Sequence, residues 1–235
     1  MAIFETKEWS QFTRPEPLLA AAPLDAPLTE IYGMPVFSYD RYFVALIQLY
    51  HVIPQGGGWR FHDGHVDCQL AYSRDGWCFQ RSLREPFLAN GTPDQPHAGC
   101  LYPTSLITLP DGSLRIYAGC CRLEHGHHAL GIGSIAAFSL RKDGFTYLES
   151  LNGIGTVGTR PLLWQGGVLE ANVQSQNGYA KVQMGGGDGL ALEGMSFAES
   201  VPFTGDAVRW KPSWTSGATT ETLAGQPLRF EVKLK

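Results

Sequence analysis

The sequence predicts an all-β fold, with a partial β-propeller of two to three blades followed by a β-sandwich. Asp-Gly turns recur between apolar or alternating runs, at Asp75-Gly76, Asp111-Gly112 and Asp143-Gly144. This dipeptide is the strongest short-range signal for a hairpin. No stretch has the apolar periodicity of a convincing helix. Repeated hairpins of this kind are typical of the small meanders that form propeller blades.

The chain divides into three predicted regions. Residues 1–30 carry four prolines, which cannot donate ladder hydrogen bonds and therefore predict an irregular lead-in. Residues 31–150 hold the predicted blades. There the run from Tyr42 to Tyr50 is so apolar that it predicts a strand buried on both faces. Residues 151–235 combine short strands with frequent glycine turns, which is the pattern of a β-sandwich.

Four hairpins and one final strand follow from the turn and strand signals. The final strand is predicted at Leu228–Leu234, where apolar and polar residues alternate as in a half-exposed antiparallel strand. In the first hairpin, Asp75 is interpreted as a turn residue, and Asp67 lies where the first strand begins. The predicted hairpins are Cys68–Tyr72 with Trp77–Arg81, Leu101–Leu109 with Leu114–Gly119, Ile132–Leu140 with Phe145–Leu148, and Val168–Val173 with Tyr179–Met184.

The overall composition argues against some classes of function. With a formal net charge of -4 and no basic block, nucleic acid is not an expected partner. The longest apolar run, Tyr42 to Ile47, is too short to span a bilayer, so no membrane association is expected. The first nine residues lack a basic stretch followed by an apolar one. No secretory signal is therefore visible, and the location in the cell stays open.

Cysteine and histidine are unevenly distributed. All five cysteines and all seven histidines lie between His51 and His128, which indicates a site-bearing first region and a structural second one. An odd cysteine count without C-x-x-C spacing argues against disulfides and against a structural zinc site. Glu124, His125 and His127 lie close in sequence but lack the spacing of metal ligands. Neither a metal nor another cofactor is therefore predicted, and sugar-hydroxyl binding by His125 is favoured.

Several short motifs carry a resemblance to a known family. In this order, they resemble the C-terminal portion of bacterial glycosidase-like proteins related to the five-bladed propeller hydrolases of the invertase and arabinanase type, in which a β-sandwich follows the propeller. The resemblance covers roughly residues 31–235. The motifs are SRDGWCFQR at 73–81, Arg84–Phe87, Leu114–Gly119 with His125, Ser139–Phe145, Thr159–Leu162, Gly205-Asp206 with Val208–Trp210, and Leu223–Arg229.

The resemblance implies a glycoside-hydrolase-like protein that acts on or binds oligosaccharide. A five-bladed propeller needs about five four-stranded sheets, and residues 31–148 supply strands for only two to three. A truncated or reduced member with an incomplete active site is therefore expected, and whether it is an enzyme stays open. One alternative is a non-catalytic carbohydrate-binding or scaffold remnant. Another is a fragment that self-associates or needs a second chain through its open propeller edges.

Three carboxylates are candidates for catalysis, because glycoside hydrolysis commonly uses two carboxyl groups that flank the scissile bond. Asp67 is the first candidate, as a base or as a carboxylate that tunes a neighbouring pKa. Glu124, beside His125, is a candidate general acid. Asp94 lies near the place where the family has an Asp before a strand, although His97 is the closer positional match. For Asp67 and Glu124 the alternative is an ordinary solvated loop carboxylate.

Five residues are candidates for substrate binding. Arg84 has a fork of donors suited to a sugar hydroxyl or an acidic group, and a surface ion pair is its alternative. His97 and His125 are candidate hydrogen-bonding partners. Trp59 and Tyr102 are candidates for stacking on sugar rings, which pack on flat apolar faces.

Overall fold

A computed structural model describes residues 1–54, 62–81, 83–127, 131–151 and 153–235, with only the backbone of His62. Within these ranges the chain is essentially all-β, and its one helical element is a 3₁₀ turn at Glu221–Leu223. The predicted all-β class is confirmed. None of the described residues forms a helix that is long and apolar enough to cross a membrane.

The chain forms two compact units, Met1–Leu140 and Arg141–Lys235. The strands of the first unit are β1 Ala2–Ile3, β2 Glu16–Pro17, β3 Thr29–Gly33, β4 Val36–Tyr39, β5 Tyr42–Pro54, β6 His62–Ser73, β7 Cys100–Thr108, β8 Leu114–Cys121 and β9 Gly133–Leu140. A seven-stranded sheet dominates this unit, with the order β3-β5-β6-β7-β8-β9, and β4 pairs with β5. Its pairs are antiparallel except β6 and β7, which meet in parallel where Val66 lies opposite Cys100.

Strand β5 is an interior strand of this sheet, as its apolar run predicts. Every residue from Val44 to Tyr50 is buried. Strands β3 and β4 pair with one edge of β5 and β6 with the other, and side chains pack on both of its faces. Burying a side chain such as Ile47 or Leu49 contributes about 1.5–3 kcal/mol. One face packs Ala45, Ile47, Leu49 and Ala71 against Leu19, Ile31, Met34 and Phe79. The other face packs Tyr50 with Val66 and Cys100.

Of the three hairpins that Asp-Gly turns predict, one forms as predicted. The hairpin across Asp111-Gly112 forms as β7 and β8. The one predicted after Ser73 does not extend, since only a single bridge joins Tyr72 to Gln80. There the Asp75 carboxylate accepts the N–H groups of Trp77 and Cys78 and turns the chain away from the sheet. Residues 145–148 form no strand, and β9 pairs with β8 instead.

The strands of the second unit are β10 Gly155–Gly158, β11 Leu162–Leu163, β12 Ala171–Gln174, β13 Ala180–Gly186, β14 Asp206–Trp210 and β15 Pro227–Leu234. Strand β15 is the central strand. It pairs with β13 on one edge and with β10 and β11 on the other, while β12 and β14 form a separate pair. The predicted antiparallel strand at 228–234 is therefore confirmed. The predicted hairpin across Asn177-Gly178 is wrong, because its two strands pair with other partners.

An apolar cluster forms a core in the second unit. Its buried members are Val182, Met184, Met195, Trp214, Leu228 and Phe230. The Trp214 indole donates a 3.0 Å hydrogen bond to the Val182 carbonyl, so the one polar atom of that large side chain is satisfied. The unit contains no histidine and no cysteine.

Candidate functional site

The pairing register of β5 and β6 brings three ionisable side chains together. His51 lies opposite His65, and Leu49 lies opposite Asp67. Directly opposed residues of an antiparallel pair share a face, and so do residues two apart on one strand. His51, His65 and Asp67 therefore lie on the same face of the sheet, and they are called the His–Asp cluster below. Asp67 lies within β6 rather than at its beginning, because the strand begins at His62.

The His–Asp cluster is compact. The distance from His51 Nε2 to Asp67 Oδ2 is 3.0 Å, and the two imidazole rings stack with centroids 4.4 Å apart. Since a carboxylate only accepts, Nε2 carries the proton of this hydrogen bond. Asp67 is only 4% exposed. Its other oxygen, Oδ1, is buried and has no hydrogen-bond partner among the described residues.

The electrostatics of His65 show that a second carboxylate is near. Burial and the neighbouring His51 lower the pKa of His65 below its ordinary value of 6.5, whereas Asp67 and Glu124 act to raise it. Glu124 belongs to the loop after β8, called the 122–127 loop below. The structure thus brings Asp67 and Glu124 within electrostatic range of one histidine.

The 122–127 loop is tied to the beginning of β6. The His125 N–H donates to the Gly64 carbonyl at 2.8 Å, and His127 Nδ1 lies 3.2 Å from the Asp63 carboxylate. Two close backbone approaches require glycine here. A Cβ on Gly64, whose φ is +130°, would lie 2.0 Å from the His51 carbonyl oxygen, and a Cβ on Gly99 would lie 2.0 Å from the Leu123 carbonyl oxygen. These glycines let β5, β6 and the loop meet.

Four rings form an aromatic group beside this loop: Tyr32, Tyr50, Tyr102 and His125. The His125 ring lies 4.7 Å from Tyr50 and 5.3 Å from Tyr32, and Tyr32 lies 5.6 Å from Tyr102. Tyr32 lies where the β3–β5 register shifts between Ile31 and Gly33, and it remains 53% exposed. Bulges of this kind redirect a side chain and occur often near active sites.

The aromatic group and the His–Asp cluster lie on opposite faces of β5, because Tyr50 directly precedes His51 and successive side chains alternate. The 122–127 loop contributes to both, with Glu124 acting on His65 and His125 packing on Tyr50. Burial raises the pKa of Tyr102, as does its side-chain hydrogen bond with Cys100. Tyr102 therefore stays a neutral phenol.

Four of the residues predicted for the site lie around β6 and the 122–127 loop but are divided between two faces. Asp67 and Glu124 act on His65 on one face, whereas His125 and Tyr102 belong to the aromatic group on the other. Arg84 instead forms an ion pair with Asp25, with Nη1 2.8 Å from Oδ1. Arg81 binds the same carboxylate through both of its terminal nitrogens. Arg84 thus forms the ion pair that was the alternative to its predicted role in substrate binding.

The remaining predicted residues lie elsewhere. Asp94 is exposed in the loop between β6 and β7 and accepts a 2.6 Å hydrogen bond from the Thr92 hydroxyl. That hydrogen bond lowers the pKa of Asp94. The His97 ring packs edge-on against Phe138, with centroids 5.6 Å apart. Neither residue belongs to the His–Asp cluster. Trp59 lies outside the described residues.

Sequence reasoning missed His51, Tyr32 and Tyr50 as members of the site. A weak signal for His51 exists, since His65 and Asp67 are two apart and a hairpin before them would place a β5 residue opposite. Finding it requires the register of β5 and β6, which no local pattern supplies. No family model, curated protein or solved structure matches this chain.

Proposed function

We propose that this chain is a glycoside-hydrolase-like protein that binds oligosaccharide where the 122–127 loop meets β6. The observation that carries the proposal is the group of four rings that the 122–127 loop completes with His125. On the other face of β5, Asp67 and Glu124 of the same loop both act on His65. Paired carboxyl groups are the usual chemistry of glycoside hydrolysis, and aromatic rings bind the apolar faces of sugars.

The aromatic group is the proposed sugar platform. Tyr32 presents its half-exposed ring to solvent, and its hydroxyl lies 3.3 Å from His125 Nε2. Tyr50 and Tyr102 hold Tyr32 and His125 from behind through ring contacts. A sugar stacked on Tyr32 would therefore find hydrogen-bonding groups from Tyr32 and His125 at the edge of the platform.

Glu124 and Asp67 receive different proposed roles because their exposure differs. Glu124 is half-buried at the surface of the loop, where its carboxyl group can protonate a leaving-group oxygen as general acid. Asp67 is almost fully buried and hydrogen-bonded to His51. It therefore acts as the pKa-tuning carboxylate, and its hydrogen bond with Nε2 fixes the orientation of the His51 ring.

The strand order of the first unit supports the proposal that it contains propeller-like blades. Strands β4-β5-β6 and β7-β8-β9 are two successive antiparallel meanders, and blades of a propeller are meanders of four strands. We assign these to two reduced blades. The second unit, with one four-stranded and one two-stranded sheet, is the proposed sandwich module.

A specific observation favours the second candidate, a non-catalytic carbohydrate-binding or scaffold protein that needs a second chain. Only one of the two carboxylates, Glu124, is open enough to touch a substrate directly. In addition, β9 is the last strand of the sheet order and exposes Ile135 by 80%. An exposed apolar edge strand is a template for pairing with another chain.

Hydrolysis of a panel of chromogenic glycosides, with glycan-array binding in parallel, tests the proposal. The wild type is expected to bind and hydrolyse at least one glycan. Glu124→Gln should keep binding but lower hydrolysis by about 10²–10⁴-fold, the usual contribution of general acid catalysis. Glu85→Gln, which changes an exposed carboxylate of the same unit, is the matched control. Tyr32→Ala should weaken binding.

The outcomes separate the candidates. Binding without hydrolysis, in a wild type that dimerises in light scattering and becomes monomeric in Ile135→Lys, identifies the scaffold protein. Absence of both binding and hydrolysis across the panel would overturn the carbohydrate proposal. Equal losses in Glu124→Gln and Glu85→Gln would overturn the role of Glu124.

A further inference from the structure

We infer that His51, His65 and Asp67 form a binding site for a divalent transition metal, for which Zn²⁺ is the best-matched ion. Each residue offers one ligand atom, and these atoms all lie within 4.8 Å of one another. Among the described residues, this is the group of three His, Cys, Asp or Glu side chains whose ligand atoms lie close enough to bind one metal ion. The inference stands on these three residues and does not depend on carbohydrate binding.

The ligand spacing suits a small ion. Zn²⁺ binds imidazole nitrogen and carboxylate oxygen at about 2.0–2.2 Å, so two ligands of a tetrahedral site lie about 3.3 Å apart. His51 Nε2 and Asp67 Oδ2 are already 3.0 Å apart. The half-buried His65 ring is stacked on His51. A small shift of this ring towards the other two ligand atoms would bring its nitrogen to the same ion. On binding, the His51 proton moves to Nδ1, and the ion takes its place between the two residues.

An unpartnered buried oxygen is the independent observation. Asp67 is 4% exposed, yet its Oδ1 atom has no hydrogen-bond partner among the described residues. An unpaired carboxylate oxygen in such a place is costly, and a bound cation removes that cost. The hydroxyl of Thr29, the register partner of His51, is likewise buried without a partner among those residues. Two residues with unsatisfied oxygens thus flank the same part of β5, Thr29 opposite His51 and Asp67 opposite Leu49.

The donor set selects the kind of metal. Two imidazoles and one carboxylate suit Zn²⁺ and other first-row ions that bind imidazole, whereas Ca²⁺ and Mg²⁺ prefer oxygen ligands alone. Three protein ligands leave one position of a tetrahedral Zn²⁺ open, as in catalytic rather than structural sites. That position would take water or a hydroxyl group.

The scaffold behind the ligands is rigid. All three ligands lie on two strands whose pairing is regular from Phe43 to Pro54, and sites on strands are held more accurately than sites on loops. None of the five cysteines belongs to the cluster. The site therefore predicts a metal spectrum without thiolate character.

The decisive experiment is a titration of the full-length chain, stripped of metal with a chelator, by isothermal calorimetry. One Zn²⁺ is expected to bind per chain, with no detectable binding of Ca²⁺ at the same concentration. His51→Gln, His65→Gln and Asp67→Asn should each lower Zn²⁺ affinity by more than the roughly 10–100-fold that loss of an outer partner costs. His97→Gln, which changes a ring packed on Phe138, should keep the wild-type affinity.

Several results would overturn the inference. They are a wild type that binds no Zn²⁺, a Co²⁺ complex with a thiolate charge-transfer band, and unchanged affinity in His65→Gln and Asp67→Asn. Circular dichroism of each variant establishes folding first, and His65→Gln, at a half-exposed position, is the decisive variant if the others unfold. Metal binding is measured without sugar, so a protein that is inactive on glycosides can still bind Zn²⁺ in this titration.

Discussion

The two units of this protein satisfy their buried polar groups in different ways. In the second unit the buried hydroxyls of Ser175, Ser200 and Thr220 all bond to backbone groups. Among the described residues, two buried side-chain oxygens lack a hydrogen-bond partner, Thr29 Oγ1 and Asp67 Oδ1. Both belong to the first unit. The buried side-chain atoms of the second unit that lack a hydrogen-bond partner among the described residues are nitrogens of Arg141 and Arg229, and both arginines form ion pairs with carboxylates. The unsatisfied oxygens therefore distinguish the first unit, and a bound ligand or ion would satisfy them.

The ion pairs differ in the same direction. In the first unit Asp25 and Arg81 pair with only 5% and 2% of their side chains exposed. In the second unit Arg209 pairs with Glu170 while 69% exposed. Buried pairs are costly to break because the remaining charge has no partner, whereas exposed pairs contribute little. The Asp25–Arg81 pair of the first unit should therefore contribute more to stability than the Arg209–Glu170 pair of the second.

The largest expected effect comes from breaking the buried ion pair. Asp25→Asn should lower the free energy of unfolding by about 3–5 kcal/mol, because it leaves Arg81 buried and unpaired. Urea denaturation at neutral pH measures the change. Glu170→Gln, which breaks an exposed pair of the second unit, is the control and should have no clear effect. Comparable losses in the two variants would break the distinction between the units.

The next effect concerns the close contact of β5 and β6. Gly64→Ala places a Cβ 2.0 Å from the His51 carbonyl at a φ of +130°, so the free energy of unfolding should fall by about 3 kcal/mol or more. Gly217→Ala, at a φ of +76° with no described atom within 4 Å of its Cβ, should cost about 1 kcal/mol from backbone strain alone. Thermal denaturation compares the two. Equal costs would show that the contact with His51 is not tight.

The ion pair also predicts a pH dependence. Burial acts to raise the pKa of Asp25, but hydrogen bonds from Arg81, the Ala22 N–H and Arg84 outweigh it and hold the pKa well below its ordinary 3.8. A carboxyl with a depressed pKa stabilises the fold fully above its unfolded value and loses this as the pH falls towards its folded value. The stability difference between wild type and Asp25→Asn should therefore be constant from pH 7 to 5 and shrink below pH 4. Urea titrations across that range measure it, and a difference that stayed constant to pH 3 would contradict the assignment.

The elements that sequence patterns predict correctly are those fixed locally. Strand β5 follows from one apolar run, and the β7–β8 hairpin follows from its Asp-Gly turn. Asp67 stands out because it lies beside a strong strand signal. In contrast, the Asp25–Arg81 pair joins residues 56 positions apart, and the His51–Asp67 bond depends on the register of two strands. Neither leaves a local trace, since tertiary pairing decides which polar residues meet.

The same limit explains the wrong hairpins. Asp75 does form a turn, but its side chain takes the N–H groups of Trp77 and Cys78, so these cannot continue a ladder with β6. Around Asn177-Gly178, β15 offers β13 a longer antiparallel partner than β12 does. A turn signal fixes a change of direction, whereas the partner of each strand is decided by the whole sheet.

The smallest expected effect is the sharpest test of the comparison between the units, because it makes one substitution in both. Thr220→Val removes a hydroxyl that donates to the Gly167 carbonyl and accepts the Leu169 N–H, so it should lower the free energy of unfolding by about 1–3 kcal/mol. Thr29→Val removes a buried hydroxyl that has no partner among the described residues. Since no hydrogen bond is lost and a polar group leaves the interior, its effect should be neutral or slightly stabilising in the metal-free protein. Urea denaturation of both variants decides between these expectations. A loss for Thr29→Val as large as that for Thr220→Val would mean that Thr29 is already satisfied, and the first unit would then lose one of the two unsatisfied oxygens that set it apart.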